Sequence, residues 1–427
     1  MGKLLTLLCL SFLALVSGKK GFGPTDQEWG YVTVRKDAHM FWWLHYTTAN
    51  VSDYTERPLI IWLQGGPGAS STGFGNFKEI GPLDVQLKER NSTWVKHANV
   101  LLVDNPVGTG YSYVENNAYA RNNEQIAKDF LELMKSFYKD LPQFQNVSTY
   151  IFSESYGGKM AADIALLLYK ENKAGKIKCQ LKGVGLGDSW ISPLDSVLTW
   201  APYLRSIGAI DEKGEDAINK VTSAIVSAYQ KGDFKKATSL FFGVEKEVSM
   251  QAYGVDFYNV LTRIASHKTK TGRGSVLKAK RDDEAAIAAL MNGAVKEALN
   301  ISRTWGDQSF DVFEAVSDDF MRPVIYVVEE LLNSSDIQVA VYNGQLDLIV
   351  DTIGTLQWVN KMDWNDRKAW NSSVREAFEV DGYYEGYEKK HNNFAFYWVN
   401  RAGHMVPSDN PSAMYYILKD VTRDFKA

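Results

Sequence analysis

The sequence predicts an α/β protein built on a doubly wound, mostly parallel sheet that is interrupted by a helical insertion. Three observations carry this expectation. Short apolar runs bounded by turn residues recur through the first half of the chain, and they alternate with segments of helical periodicity. After Pro193 the texture changes to a long stretch rich in Ala and Lys, in which strand-like runs are scarce. With 427 residues, 45% hydrophobic and 13% aromatic, the chain has enough apolar material for a large core, which excludes global disorder.

Residues 1–18 read as a secretory signal. Lys3 supplies the charged start, Leu4 to Val16 an almost purely apolar run, and Val16, Ser17 and Gly18 the small residues for cleavage. The run falls short of the roughly 20 residues of a bilayer span, which argues against an uncleaved anchor, and no later segment is apolar enough to cross a membrane. Cleavage discards Cys9 and leaves Cys179 alone, so the mature chain has no internal disulfide to form. The N-x-S/T sequons at Asn50, Asn91, Asn146, Asn300, Asn333 and Asn371 fit the same route through the ER, to secretion or to a lysosome.

The first part of the core, 19–194, contains the predicted strands Leu59 to Leu63, Val100 to Val103, Thr149 to Phe152 and Gly183 to Leu186. A helix is expected from Asn123 to Tyr138, where Ile126, Phe130, Leu133, Met134 and Phe137 recur at helical spacing, and another from Lys159 to Tyr169. The insertion spans 195–323, with amphipathic helices over Glu215 to Tyr229 and Glu284 to Leu299. Within it, the basic stretch from His267 to Arg281 reads either as a solvated loop or as a site of proteolytic processing. The second part of the core, 324–427, resumes with strands at Ile337 to Tyr342 and Phe394 to Val399 and ends in a helix from Ser412 to Phe425.

Lys and Arg number 47 against 51 Asp and Glu, a net charge of -4, so the basic excess that binds phosphate backbones is missing and nucleic acid is excluded as a partner. The chemistry concentrates where predicted strands end. The third strand runs into Ser153-Glu154-Ser155-Tyr156-Gly157-Gly158 and then a helix, the strand-turn-helix context that exposes a nucleophile, here Ser155. A serine hydroxyl needs a base that is itself oriented by an acid. Asp347 lies just beyond the strand Ile337 to Tyr342, and His404 just beyond Phe394 to Val399. Both are at the carboxyl edge, in the order Ser, Asp, His that such a sheet requires. Gln64-Gly65-Gly66-Pro67-Gly68 follows the first strand, where backbone N–H groups can hold an oxyanion, and the two donors are assigned to Gly66 and Tyr156. A phosphate loop is the competing reading of these glycines, but the Lys followed by Ser or Thr that such a loop needs is absent.

Four motifs together resemble the serine carboxypeptidases: Ile61 to Ser71, Asp104 to Tyr113, Glu154 to Lys159 and Gly403 to Pro407, in family order. The resemblance implies an α/β-hydrolase fold and an acid-active exopeptidase acting on peptides or proteins with a free C-terminus, with no cofactor and no metal. It further implies that Gln64, Gly65 and Glu154 bind the substrate carboxylate, and that Glu79 matches a second glutamate sharing a proton with Glu154. Three residues depart from the family pattern: Gln64 replaces Asn, Ser153 replaces Gly, and Ala69 replaces a disulfide Cys. Two other readings compete. The same acyl-enzyme could serve an esterase or acyltransferase, or the protein could scaffold and protect a lysosomal partner with incidental catalysis. Side-chain preference, physiological substrate and oligomeric state are not legible.

Overall fold

The structure is a computed structural model and describes residues 19–264 and 284–423. The expected signal and the basic stretch from His267 to Arg281 lie outside the described residues. Fourteen strands follow in chain order: β1 (Lys19–Lys20), β2 (Asp26–Arg35), β3 (Ala38–His45), β4 (Leu59–Leu63), β5 (Asn99–Val103), β6 (Tyr113–Val114), β7 (Ser148–Glu154), β8 (Gln180–Gly187), β9 (Val255–Asp256), β10 (Asn259–Arg263), β11 (Gln338–Gly344), β12 (Arg375–Val380), β13 (Tyr383–His391) and β14 (Phe394–Val399). One sheet holds twelve of them in the order β1-β2-β3-β5-β4-β7-β8-β11-β14-β13-β12, with β6 paired to β3.

The centre of the sheet, from β5 to β14, is parallel throughout. Its strands are covered on both faces, which is why they read as unbroken apolar runs. In β4 all five residues are buried, and the pleat splits them: Leu59, Ile61 and Leu63 enter one core, Ile60 and Trp62 the other. The first core is roofed by α1 (Asn123–Asp140) and α2 (Tyr156–Lys173), the second by the helix Pro411–Thr422. Helix α1 starts where Asn122 caps the N–H of Gln125 at 2.9 Å, and it buries the predicted stripe of Ile126, Phe130, Leu133, Met134 and Phe137.

The sheet is mostly parallel, as expected, and antiparallel only at its two edges. β1, β2 and β3 form an antiparallel flank on one side, and β13 and β12 on the other. Of these strands β2, β12 and β13 carry charged residues on a solvated face, so they lack the apolar run that marks a buried strand. The segment 195–323 contributes all but the first two residues of α3 (Pro193–Ser206), together with α4 (Glu212–Gln230) and α5 (Phe234–Gln251). It also forms a small β9–β10 hairpin, too short and polar to be read from the sequence. The helix expected over Glu284 to Leu299 is not continuous: Gly293, at φ -108° and ψ -108°, breaks it.

Candidate active site

The turn between β7 and α2 places Ser155 at φ 62° and ψ -130°, a conformation that a non-glycine residue adopts only where the surroundings impose it. Four backbone hydrogen bonds impose it here. The N–H of Ser155 donates to the carbonyls of Gly187 and Asp188, both at 3.1 Å, and its carbonyl accepts from Gly158 at 3.0 Å and Trp190 at 2.9 Å. The turn also needs glycine beside it. A Cβ on Gly65 would lie 2.5 Å from the Cβ of Ser155 and 3.0 Å from the N of Tyr156, and a Cβ on Gly157 would lie 2.3 Å from the carbonyl O of Leu63. The glycine loop after β4 is therefore pressed directly against Ser155.

The loops after β11 and β14 bring in Asp347 and His404. They touch closely enough that a Cβ on Gly344 would lie 2.1 Å from the carbonyl O of Gly403. His404 Nδ1 stands 2.7 Å from Asp347 Oδ2, the backbone N of His404 donates to the carbonyl of Tyr258 at 2.8 Å, and the Tyr258 ring packs against the imidazole with centroids 5.1 Å apart. Burial drives the His404 pKa down, against the pull of Asp188, Glu79, Asp409 and Asp256, so the ring is neutral and can accept a proton. Among the described residues His404 Nε2 has no hydrogen-bond partner. Ser155 and His404 line one cleft without a bond between them, as is common before substrate tightens such contacts.

That cleft has a volume of about 250 Å³ and is also lined by Gln64, Gly65, Gly66 and Glu154. A larger groove of about 800 Å³, bordered by Asp163, Asp318 and Arg322, contains none of the residues singled out in the sequence. At the floor of the smaller cleft the Gln64 amide has a fixed orientation. Its Oε1 accepts from Trp62 Nε1 at 2.8 Å, so Nε2 must donate, and it reaches Glu79 Oε1 at 2.9 Å and Glu154 Oε1 at 3.0 Å. Gly75 makes room for this pair, since a Cβ there would lie 2.5 Å from Trp62 Nε1. Glu79 projects from the π-helical segment Ser71–Ile80. Burial raises the pKa of both glutamates, and the Glu79 charge together with the hydrogen bond between them raises Glu154 further, which favours holding a proton on the pair.

The departures at Ser153 and Ala69 have local explanations. Ser153 Oγ donates to the carbonyl of Gly185 at 2.9 Å, which satisfies the buried hydroxyl across the β7–β8 pair. Ala69 pairs with Gln308 as an isolated bridge, with Ser70 N donating to the Asp307 carbonyl at 3.0 Å and Trp305 Nε1 to Ser70 Oγ at 2.9 Å. Backbone and side-chain hydrogen bonds thus tie the glycine loop down without a disulfide. One residue that sequence reasoning missed is Asp188, buried immediately after β8 with its carboxyl beside the Asp347 carboxyl and the His404 imidazole. The available signal was its position, since it too follows a buried strand at the carboxyl edge.

A mostly parallel sheet with these helices, an imposed serine turn and a histidine–aspartate pair at one edge define an α/β-hydrolase. The chain belongs to the serine carboxypeptidase family, whose model matches residues 19–424, and it is a hydrolase of the serine carboxypeptidase type. It is 46% identical to the retinoid-inducible serine carboxypeptidase of Mus musculus, over 98% of this chain and 97% of that one. It is 38% identical to serine carboxypeptidase-like 51 of Arabidopsis thaliana, over 93% and 92%. The fold matches that of a prohormone-processing carboxypeptidase from Saccharomyces cerevisiae with a TM-score of 0.81 at 22% identity, covering 94% of this chain and 92% of the other.

Proposed function

We propose that Ser155 is the acylated nucleophile, with His404 as its base and Asp347 orienting the imidazole. Ser155 Oγ attacks the carbonyl of the last peptide bond while its proton passes to His404 Nε2. The backbone N–H groups of Gly66 and Tyr156 hold the oxyanion, the protonated His404 gives the proton to the departing amino acid, and water then hydrolyses the ester by the same route. The observation that carries the exopeptidase reading is the Glu154 carboxyl. It adjoins Ser155 in the chain, faces the same cleft, and is paired with Glu79 through Gln64. A protonated Glu154 can donate to the terminal carboxylate of a peptide, and an ionised one would repel it. Gly65 N–H is the second donor assigned to that carboxylate. Both donor directions of Gln64 Nε2 are used on the glutamates, so Gln64 acts mainly by holding them, and contact with substrate requires it to exchange one.

In this reading 195–323 caps the site, because Tyr258, Glu284, Asp307 and Gln308 contribute to the wall of the cleft. Passage through the ER to a secreted or lysosomal destination is supported by the exposure of all six sequon residues, Asn50, Asn91, Asn146, Asn300, Asn333 and Asn371. No helix among the described residues is long and apolar enough to cross a membrane. The test is labelling with an organophosphonate. Ser155→Ala should abolish the label and lower turnover by on the order of 10⁶. A label that persists in this variant, or that maps to Ser153 in the parent, contradicts the assignment.

A further inference from the structure

Asp188 has no role in the reaction as described so far, yet it is the most constrained acid near the base. It is 1% exposed, and its backbone lies at φ 39° directly after β8. Its carbonyl accepts from the N–H of Ser155 and its N–H donates to the carbonyl of Tyr342 at 2.9 Å, so the main chain at this residue joins the nucleophile turn to β11. Its side chain faces the other way, into the loop that carries Asp347. Oδ1 accepts from the Gly344 N–H at 2.8 Å and from Asn343 Nδ2 at 2.5 Å, and the carboxyl is within hydrogen-bond reach of Asp347. Oxygen or nitrogen atoms of Asp188, Asp347 and His404 all lie within 4.8 Å of one another.

The remaining oxygens expose a conflict. Among the described residues, Asp188 Oδ2 and Asp347 Oδ1 are buried without a close hydrogen bond, with the backbone N–H groups of Val350 and Ile349 directed at the Asp347 carboxyl, although the two carboxyls adjoin. Ionised carboxylates only accept, and two of them in a buried site repel, so a proton must lie between them. Three further features place it on Asp188. Asp347 Oδ2 is committed to His404 Nδ1, which needs a charged acceptor when the imidazole becomes an imidazolium. The Asp347 charge pushes the Asp188 pKa up, and the bond from Asp188 pulls that of Asp347 back down against its burial. The other groups facing Asp188 are Glu154, whose pKa is itself raised by burial and by Glu79, the Tyr342 phenol, and His404, whose pKa burial lowers.

We propose that Asp188 is a neutral carboxylic acid whose hydroxyl donates to Asp347, fixing the rotamer in which that carboxylate orients His404. Asp188 is then a positioning residue: it touches neither substrate nor Ser155 Oγ, and it acts through Asp347. This rests on the assignment of Asp347 and His404 as the pair serving Ser155, and its tests are read separately from the labelling of Ser155.

Asp188→Asn preserves shape, the acceptor for Gly344, and a donor toward Asp347, so kcat on a blocked amino-acid ester should stay within a few-fold of the parent. Asp188→Leu removes the donor, and kcat should fall roughly ten- to a hundredfold with KM little changed, on the scale of one charge-assisted hydrogen bond. An ester is used because it carries no free carboxylate and so bypasses Glu154. Difference infrared spectroscopy at neutral pH gives a readout independent of turnover and of the stability of the Leu variant. A carboxylic-acid carbonyl band should vanish in Asp188→Asn and persist when Glu79 and Glu154 are both changed to Gln. Parent-like kcat in Asp188→Leu, equal damage in both Asp188 variants, or an unchanged band in Asp188→Asn would overturn the proposal. So would loss of activity on dialysis against a chelator with recovery on adding zinc, because a cation rather than a proton would then join the acids. A surviving Ser155 label alongside any of these results leaves the nucleophile assignment standing.

Discussion

Two buried acid pairs flank Ser155, and they differ in what they face. Glu154 opens on the cleft beside the nucleophile, with Glu79 behind it and the neutral Gln64 amide bridging the two. Asp188 and Asp347 are sealed behind His404, with exposures of 1% and 0%. In both places burial raises carboxyl pKa values and the geometry demands a shared proton, yet the consequences are opposite. A proton on the open pair creates a donor that an incoming carboxylate can use. On the sealed pair it leaves a single charge, and that charge is directed at the imidazole. In the proposed mechanism the same physical device reads substrate on one side of the serine and orients the base on the other.

Disabling the sealed pair should give the larger loss. Asp347→Asn replaces the charged acceptor of His404 Nδ1 with a neutral amide and favours the wrong imidazole tautomer. Turnover should fall by roughly 10⁴, the scale seen for this change in other triads. Because the damage lies at the base, free acids, amides and esters should suffer alike. A loss confined to free-acid substrates would show that Asp347 belongs with the substrate-reading group and would dissolve the contrast.

The smallest change expected is at Ser153, which directly precedes Glu154 in the chain but whose hydroxyl bonds to neither pair. Its hydroxyl donates to Gly185 across the sheet. Ser153→Ala should lower stability by about 1 kcal/mol and leave kcat/KM within a few-fold, as measured by urea denaturation and steady-state kinetics. A large fall in kcat with unchanged stability would mean that the position shapes the nucleophile turn directly.

Ser155, Asp347 and His404 were legible in the sequence because each follows a short apolar run, and the carboxyl ends of parallel strands converge on one edge. The runs at Leu59 to Leu63 and Phe394 to Val399 have the bounds of β4 and β14. Gln64 and Glu154 gained a role only through resemblance, since nothing in their local pattern says that they face a common cleft. Asp188 was not legible because its meaning depends on Gly344 and Asp347, more than 150 residues away, which only the β8–β11 pairing brings alongside. The antiparallel flanks were missed for a different reason. With one face in solvent, β2, β12 and β13 carry the charges that their exposure permits, and alternation broken by bulges does not stand out.

The central claim is that the open pair reads the C-terminus, and the pH dependence of kcat/KM tests it most directly. The substrates are a blocked dipeptide acid and its amide, each assayed with the parent enzyme and with Glu154→Gln. Burial and Glu79 raise the Glu154 pKa, so its proton is held below that raised value and lost above it. Peptide-acid binding should therefore be strong at low pH and weaken as pH rises through that value. Burial lowers the His404 pKa, which narrows the acid range in which a protonated base opposes the trend. The amide, which meets no carboxylate repulsion, should hold or gain activity toward neutral pH. In Glu154→Gln, neutral at every pH, the acid-to-amide preference should lose most of its pH dependence. One shared pH profile for acid and amide, or a preference whose pH dependence survives Glu154→Gln unchanged, would contradict the account.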